Sequence, residues 1–152
     1  MVAIGNTLAG DDGVGVEVVR RLQRLWGGRS DVLLEHLPGD LLAVTELLGR
    51  AERFLFVDAL SGERPGAVEI RCAAPRAFSP SLHQTDIGAV MATLERLGTS
   101  DPFPEWEVWG VVVEPPRELR EGLSPEVEVG ARELVGRLER HLEDLLGRPK
   151  AE

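Results

Sequence analysis

Ile4-Gly5-Asn6-Thr7-Leu8-Ala9-Gly10-Asp11-Asp12-Gly13-Val14-Gly15-Val16 is a short apolar run that breaks into a glycine-studded turn with two adjacent carboxylates and then enters an amphipathic segment. Glycine admits backbone bends closed to other residues. Asp11 or Asp12 suits a helix start, where a side-chain oxygen accepts unpartnered backbone N–H groups. The stretch therefore reads as a strand, loop and helix junction. Such junctions attract phosphate, but the phosphate-binding loop needs Gly-Lys-Ser/Thr where this chain has Gly10-Asp11-Asp12, and paired carboxylates repel an anion. No Gly-x-Gly-x-x-Gly is present either. A cation or a basic peptide fits this turn better than a nucleotide.

Outward from the junction, Val14, Val18, Val19, Leu22, Leu25 and Trp26 recur at helical spacing, and Gly27-Gly28 ends the helix. Residues 32–37 read as a second strand, and Asp40 is placed to cap a second helix over 41–48. Phe54-Leu55-Phe56-Val57-Asp58-Ala59-Leu60 is nearly continuous in apolar residues, the pattern of a strand buried on both faces. It nonetheless carries an ionisable group near its end. In open α/β sheets ligands gather at the carboxyl ends of strands, so Asp58 lies near the Asp12 turn if the first and third strands are neighbours. Residues 67–72 alternate like an antiparallel edge strand and end in Cys72, read as a packing residue. A helix follows with Ile87, Val90, Met91, Leu94 and Leu97 on its apolar side. Residues 106–113 form the last buried strand. Ser124-Pro125 then starts a final helix whose stripe is Val127, Ala131, Leu134, Leu138, Leu142 and Leu145. Strands alternating with helices predict an α/β fold, a single domain over residues 1–152 with a mostly parallel twisted sheet of about five strands and helices on both faces.

Composition narrows the function. The chain has 152 residues, 43% hydrophobic and 28% charged, enough for one globular core. Its net charge of −9, from 17 Lys+Arg against 26 Asp+Glu, argues against nucleic acid as a partner. No apolar run is long enough for membrane insertion, and no leader-like segment opens the sequence, so cytoplasmic residence is expected. A lone cysteine allows no intrachain disulfide and no thiolate metal cluster. His-Glu-x-x-His and Gly-x-Ser-x-Gly are both absent, which disfavours a self-contained zinc protease or serine hydrolase.

The pattern Gly5-Asn6-x-Leu8-x-Gly10-Asp11-Asp12-Gly13-x-Gly15 resembles the signature of the hydrogenase maturation endopeptidases, which trim the C-terminus of the large subunit of nickel-iron hydrogenases. Val57-Asp58-Ala59, Ser81-x-His83, and the run from Gly110 through Glu114-Pro115 to Leu123-Ser124-Pro125 resemble further parts of that family. Only Gly39 matches the family's glycine-rich turn after the second strand. The resemblance implies metal-contacting acids at Asp12 and Asp58 and a histidine ligand at His83. His36 reads instead as a partly buried strand residue, and His141 as lying on a solvated helix face. Asp12, Asp58 and His83 offer two hard oxygens and one imidazole, a partial shell for a divalent transition metal. The resemblance further implies that nickel is supplied by the substrate, with no resident cofactor. The partner is then a nickel-iron hydrogenase large-subunit precursor, cleaved with Asp12 and Asp58 as the catalytic carboxylates. A non-catalytic nickel-binding chaperone or sensor of hydrogenase assembly would use the same three residues. An imidazole must be neutral to bind metal, so His83, with a reference pKa of about 6.5, is expected to set a pH step in precursor recognition.

Overall fold

The computed structural model describes residues 1–72 and 86–147, in which five strands form one sheet: β1 (Val2–Ile4), β2 (Glu35–Leu37), β3 (Arg53–Leu60), β4 (Val68–Cys72) and β5 (Glu105–Val112). Their order across the sheet is β2-β1-β3-β5-β4. β1, β2, β3 and β5 run parallel, while β4 pairs antiparallel with β5 at the edge, as its alternating sequence predicts. β1 and β3 are neighbours, with Val2 opposite Phe56 and Ala3 opposite Val57. The carboxyl ends of these two central strands therefore open on the same side of the molecule.

Each face of the sheet carries its own core, because the buried strands present alternate residues to opposite sides. On one face pack the helices α1 (Val14–Trp26) and α3 (Pro125–Leu146), whose Val18, Leu22, Trp26, Leu134 and Leu138 meet Leu55, Val57, Trp109 and Val111. Arg21 of α1 holds the Glu128 carboxylate of α3 through two hydrogen bonds, 2.8 and 3.1 Å. On the other face lie helix α2 (Ile87–Arg96) and a 3-10 segment, Leu41–Leu47. Their Ile87, Met91, Val44 and Leu47 meet Phe54, Phe56, Leu60 and Val112. Among the described residues no helix is long and apolar enough to cross a membrane.

Several local expectations change. Only the end of 32–37 pairs in the sheet, although Val32 and Leu34 still pack on the α1–α3 core. The predicted helix over 41–48 is 3-10, with the Asp40 side chain accepting from Leu42 N at 3.0 Å as the sequence suggests. Leu25, Leu97 and Leu145, read as members of buried stripes, are exposed at the ends of their helices. Ser124 precedes α3 without a side-chain capping bond.

Candidate functional site

The junction quoted from the sequence folds as β1, a loop, a 3-10 turn over Gly10–Gly13, and then α1. Neither aspartate caps α1 through its side chain: the N-cap is Gly13, and it has no side-chain capping bond. Each carboxylate is used elsewhere. Asp11 Oδ1 accepts from Ser124 N at 2.6 Å, and its other oxygen lies 3.5 Å from the Arg120 guanidinium. Backbone bonds reinforce that clasp, since Gly10 N donates to Arg120 O at 2.8 Å and Arg120 N to Leu8 O at 3.0 Å. Asp12 instead turns toward the β1 side of the loop, where its Oδ2 accepts from Asn6 N at 2.8 Å. The loop can close this tightly because position 5 is glycine. A Cβ at Gly5, where φ is 130°, would overlap the carbonyl oxygen of Asp12.

Asp58 sits near the carboxyl end of β3, opposite Gly110 of β5. Phe54, Phe56, Asp58 and Leu60 alternate onto the α2 face, and the other three are buried in that face's core. Asp58 is the ionisable member of an otherwise apolar row, and burial pushes its carboxyl up from 3.8 to about 7. One hydrogen bond from Ala59 N, 2.7 Å to Oδ1, works against the rise, while the negative charges of Asp12 and Asp86 add to it and Arg71 opposes them. The structure thus brings the two predicted acids into each other's field, Asp12 from the 3-10 turn after β1 and Asp58 from near the end of β3. Asp86 is a third acid at this end of the sheet that the sequence reading did not single out. Its side chain accepts from Gly88 N at 2.8 Å and caps α2. The signal was available: an aspartate stands directly before the helical apolar pattern that begins at Ile87.

The raised Asp58 carboxyl has a consequence for stability. Between pH 3.8 and about 7 the folded state keeps a proton that the unfolded state has released, so this group's contribution is present at acid pH and lost as pH rises through about 7. Above that pH the protein carries a charge that burial disfavours. Asp58→Asn should therefore stabilise the metal-free protein at pH 8 by about 1–3 kcal/mol, after allowance for its partial exposure, and the gain should fade toward pH 4. Denaturant unfolding of both proteins across pH 4–8 measures this. A difference between them that does not change with pH would remove the assigned shift.

The three histidines fare differently. His83 lies outside the described residues. His36, read as partly buried, is exposed, and its Nε2 lies 3.0 Å from Gly5 O in the opening loop. His141, read as solvated, is half-buried against Trp109, ring centroids 4.9 Å apart, with its Nε2 3.9 Å from the Glu107 carboxylate. It stands on α3 against the opposite face of the sheet from Asp58. Among the described residues no three His, Cys, Asp or Glu side chains converge to hold a metal ion. Because a carboxyl now titrates near 7 at the site, a pH step in recognition no longer reports on His83 alone.

No family model matches the chain. In sequence it is similar to the hydrogenase expression/formation protein HupD of Bradyrhizobium diazoefficiens, 27% identical over 150 residues that span 89% of this chain and 77% of the relative. In structure it is similar to the hydrogenase maturating endopeptidase HybD of E. coli, with a TM-score of 0.72 and 23% identity over 95% of this chain and 92% of that one. It is also similar to the [NiFe] hydrogenase maturation protease HybD of Thermococcus kodakarensis, with a TM-score of 0.65 and 25% identity over 92% of this chain and 97% of that one. The α/β fold with a five-stranded, mostly parallel sheet is the fold of these proteins.

Proposed function

We propose that this chain, a peptidase of the hydrogenase maturation endopeptidase type, removes the C-terminal extension of a nickel-iron hydrogenase large-subunit precursor in the cytoplasm, and that it recognises nickel carried by that precursor. The observation that carries this reading is the placement of Asp12 and Asp58. Asp58 lies near the carboxyl end of β3, and Asp12 lies in the 3-10 turn that follows the loop after the adjacent strand β1, close enough for its charge to raise the Asp58 carboxyl, in a fold shared with maturation proteases. With His83 as the third donor, the two carboxylates engage a substrate-borne metal through hard oxygens and one imidazole and leave the rest of its shell to the precursor. The substrate metal polarises the scissile carbonyl. The carboxylate pair orients a water whose oxygen attacks the carbonyl carbon while its proton passes to the leaving nitrogen.

The rival reading, a nickel-binding chaperone or sensor, uses the same residues without cleavage. Incubation with nickel-loaded and nickel-free precursor separates the two, with the large subunit followed by mass. Enzyme treated with a chelator and then desalted should still shorten the nickel-loaded precursor, and untreated enzyme should leave the nickel-free precursor intact. Binding without a loss of mass would establish the chaperone. Activity lost on chelation and restored by zinc alone would place a resident metal in this protein.

A further inference from the structure

His36 reaches the opening loop from a neighbouring strand. It pairs with Ala3 in the register of β2 on β1, and its Nε2 lies 3.0 Å from the carbonyl oxygen of Gly5. A carbonyl oxygen only accepts, so Nε2 carries the proton and donates. That carbonyl shares one planar peptide group with the N–H of Asn6, and this N–H donates to Asp12 Oδ2 at 2.8 Å. The geometry points to His36 as a positioning residue for Asp12, acting through the Gly5–Asn6 peptide group.

Two physical effects give the bridge its purpose. A peptide plane next to a glycine turns easily, since no Cβ restricts the backbone, and Gly5 already sits at φ 130°. Fixing the carbonyl end of a planar group also fixes its N–H end, so His36 aims the donor that holds Asp12. A peptide whose carbonyl accepts a hydrogen bond is also a stronger N–H donor, because successive bonds polarise one another. The exposed ring can do this without a place in the core, which leaves the fold insensitive to its removal.

This inference rests on Asp12 being a site residue, and its test keeps the two separable. In His36→Ala the amide proton of Asn6 should move upfield and exchange faster with solvent, with the rest of the amide spectrum unchanged outside the opening loop and β2. His36→Gln, which restores a donor near the same point, should bring the resonance most of the way back. On nickel-loaded precursor His36→Ala should lose roughly tenfold in kcat with KM held within about twofold, and His36→Gln should recover most of the loss. An unmoved Asn6 amide in His36→Ala overturns the bridge. An amide that moves but is not restored by Gln assigns the effect to the ring rather than its hydrogen bond, and also overturns it. Normal processing by Asp12→Asn together with a shifted and restored Asn6 amide would keep the bridge and remove the catalytic reading of Asp12.

Discussion

Asp12→Asn and Asp58→Asn should each reduce processing of nickel-loaded precursor by about a thousandfold or more, while Asp11→Asn costs less than about tenfold. Asparagine keeps the shape of aspartate and one accepting oxygen but removes the charge that engages a cation. The doublet supplies its own control because the structure separates its members. Asp11 is bonded to Ser124 N and faces Arg120, where an asparagine oxygen can still accept from the backbone. Asp12 is joined only by one residue number to that clasp and faces the other way, to Asn6 N. Single-turnover cleavage of the precursor, read by mass, ranks the three variants. Should Asp11→Asn be the dead variant and Asp12→Asn the active one, the wrong carboxylate has been placed in the site.

A large effect on stability is expected at Gly15. A Cβ there would overlap Val57 O and lie 2.6 Å from Ile4 O, so α1 rests directly on the backbones of β1 and β3 at the point where the site is built. Carbonyl oxygens of a central sheet cannot step aside as a side-chain end can. Gly15→Ala should therefore cost about 3–4 kcal/mol and lower Tm by roughly 10 °C, against the usual gain of about 0.5–1 kcal/mol when alanine replaces glycine within a helix. Gly136 in α3 is the counter-case. Nothing lies within 4 Å of a Cβ added there, and Gly136→Ala should raise Tm. Paired melts of the two variants test the contrast in sign. Equal small gains at both positions would mean that α1 does not sit on the sheet as described.

These examples also mark what was legible in the sequence. The apolar run of β3 interrupted by Asp58 and the glycine-studded turn around Asp11-Asp12 are local patterns with local causes, so the strand and the junction could be read from them, while the choice of Asp12 over Asp11 came only from the family resemblance. The mostly parallel sheet of about five strands followed from the alternation of strands with helices, and the antiparallel edge from the residue pattern within 67–72. The 3-10 form of Leu41–Leu47 was not distinguished from an α-helix, although its buried residues, Val44 and Leu47, stand three apart and fit three residues per turn. Leu25, Leu97 and Leu145 satisfy the helical period yet are exposed at the ends of their helices, while Trp26 beside Leu25 is buried, so the period alone does not decide which residue of a last turn meets the core. The histidines were the hardest to place. His36 meets Gly5 because β2 pairs with β1 in one particular register, and His141 meets Trp109 because α3 lies across β5; neither contact leaves a trace in the residues adjacent to the histidine.

The clasp between Asp11 and Ser124 also orders events on the ribosome. β1 is made before either of its sheet partners, yet it lies between them, so it must wait for residues 35–37 and 53–60 to emerge before both its edges are covered. The turn that carries Asp12 waits longer still, because the loop ahead of it is tied to Arg120 and Ser124. A nascent chain that stops short of residue 120 therefore leaves the acidic loop without its Arg120 and Ser124 partners, the kind of long-range closure that slows folding. The acidic turn gains its last partners only when the start of the final helix has been made.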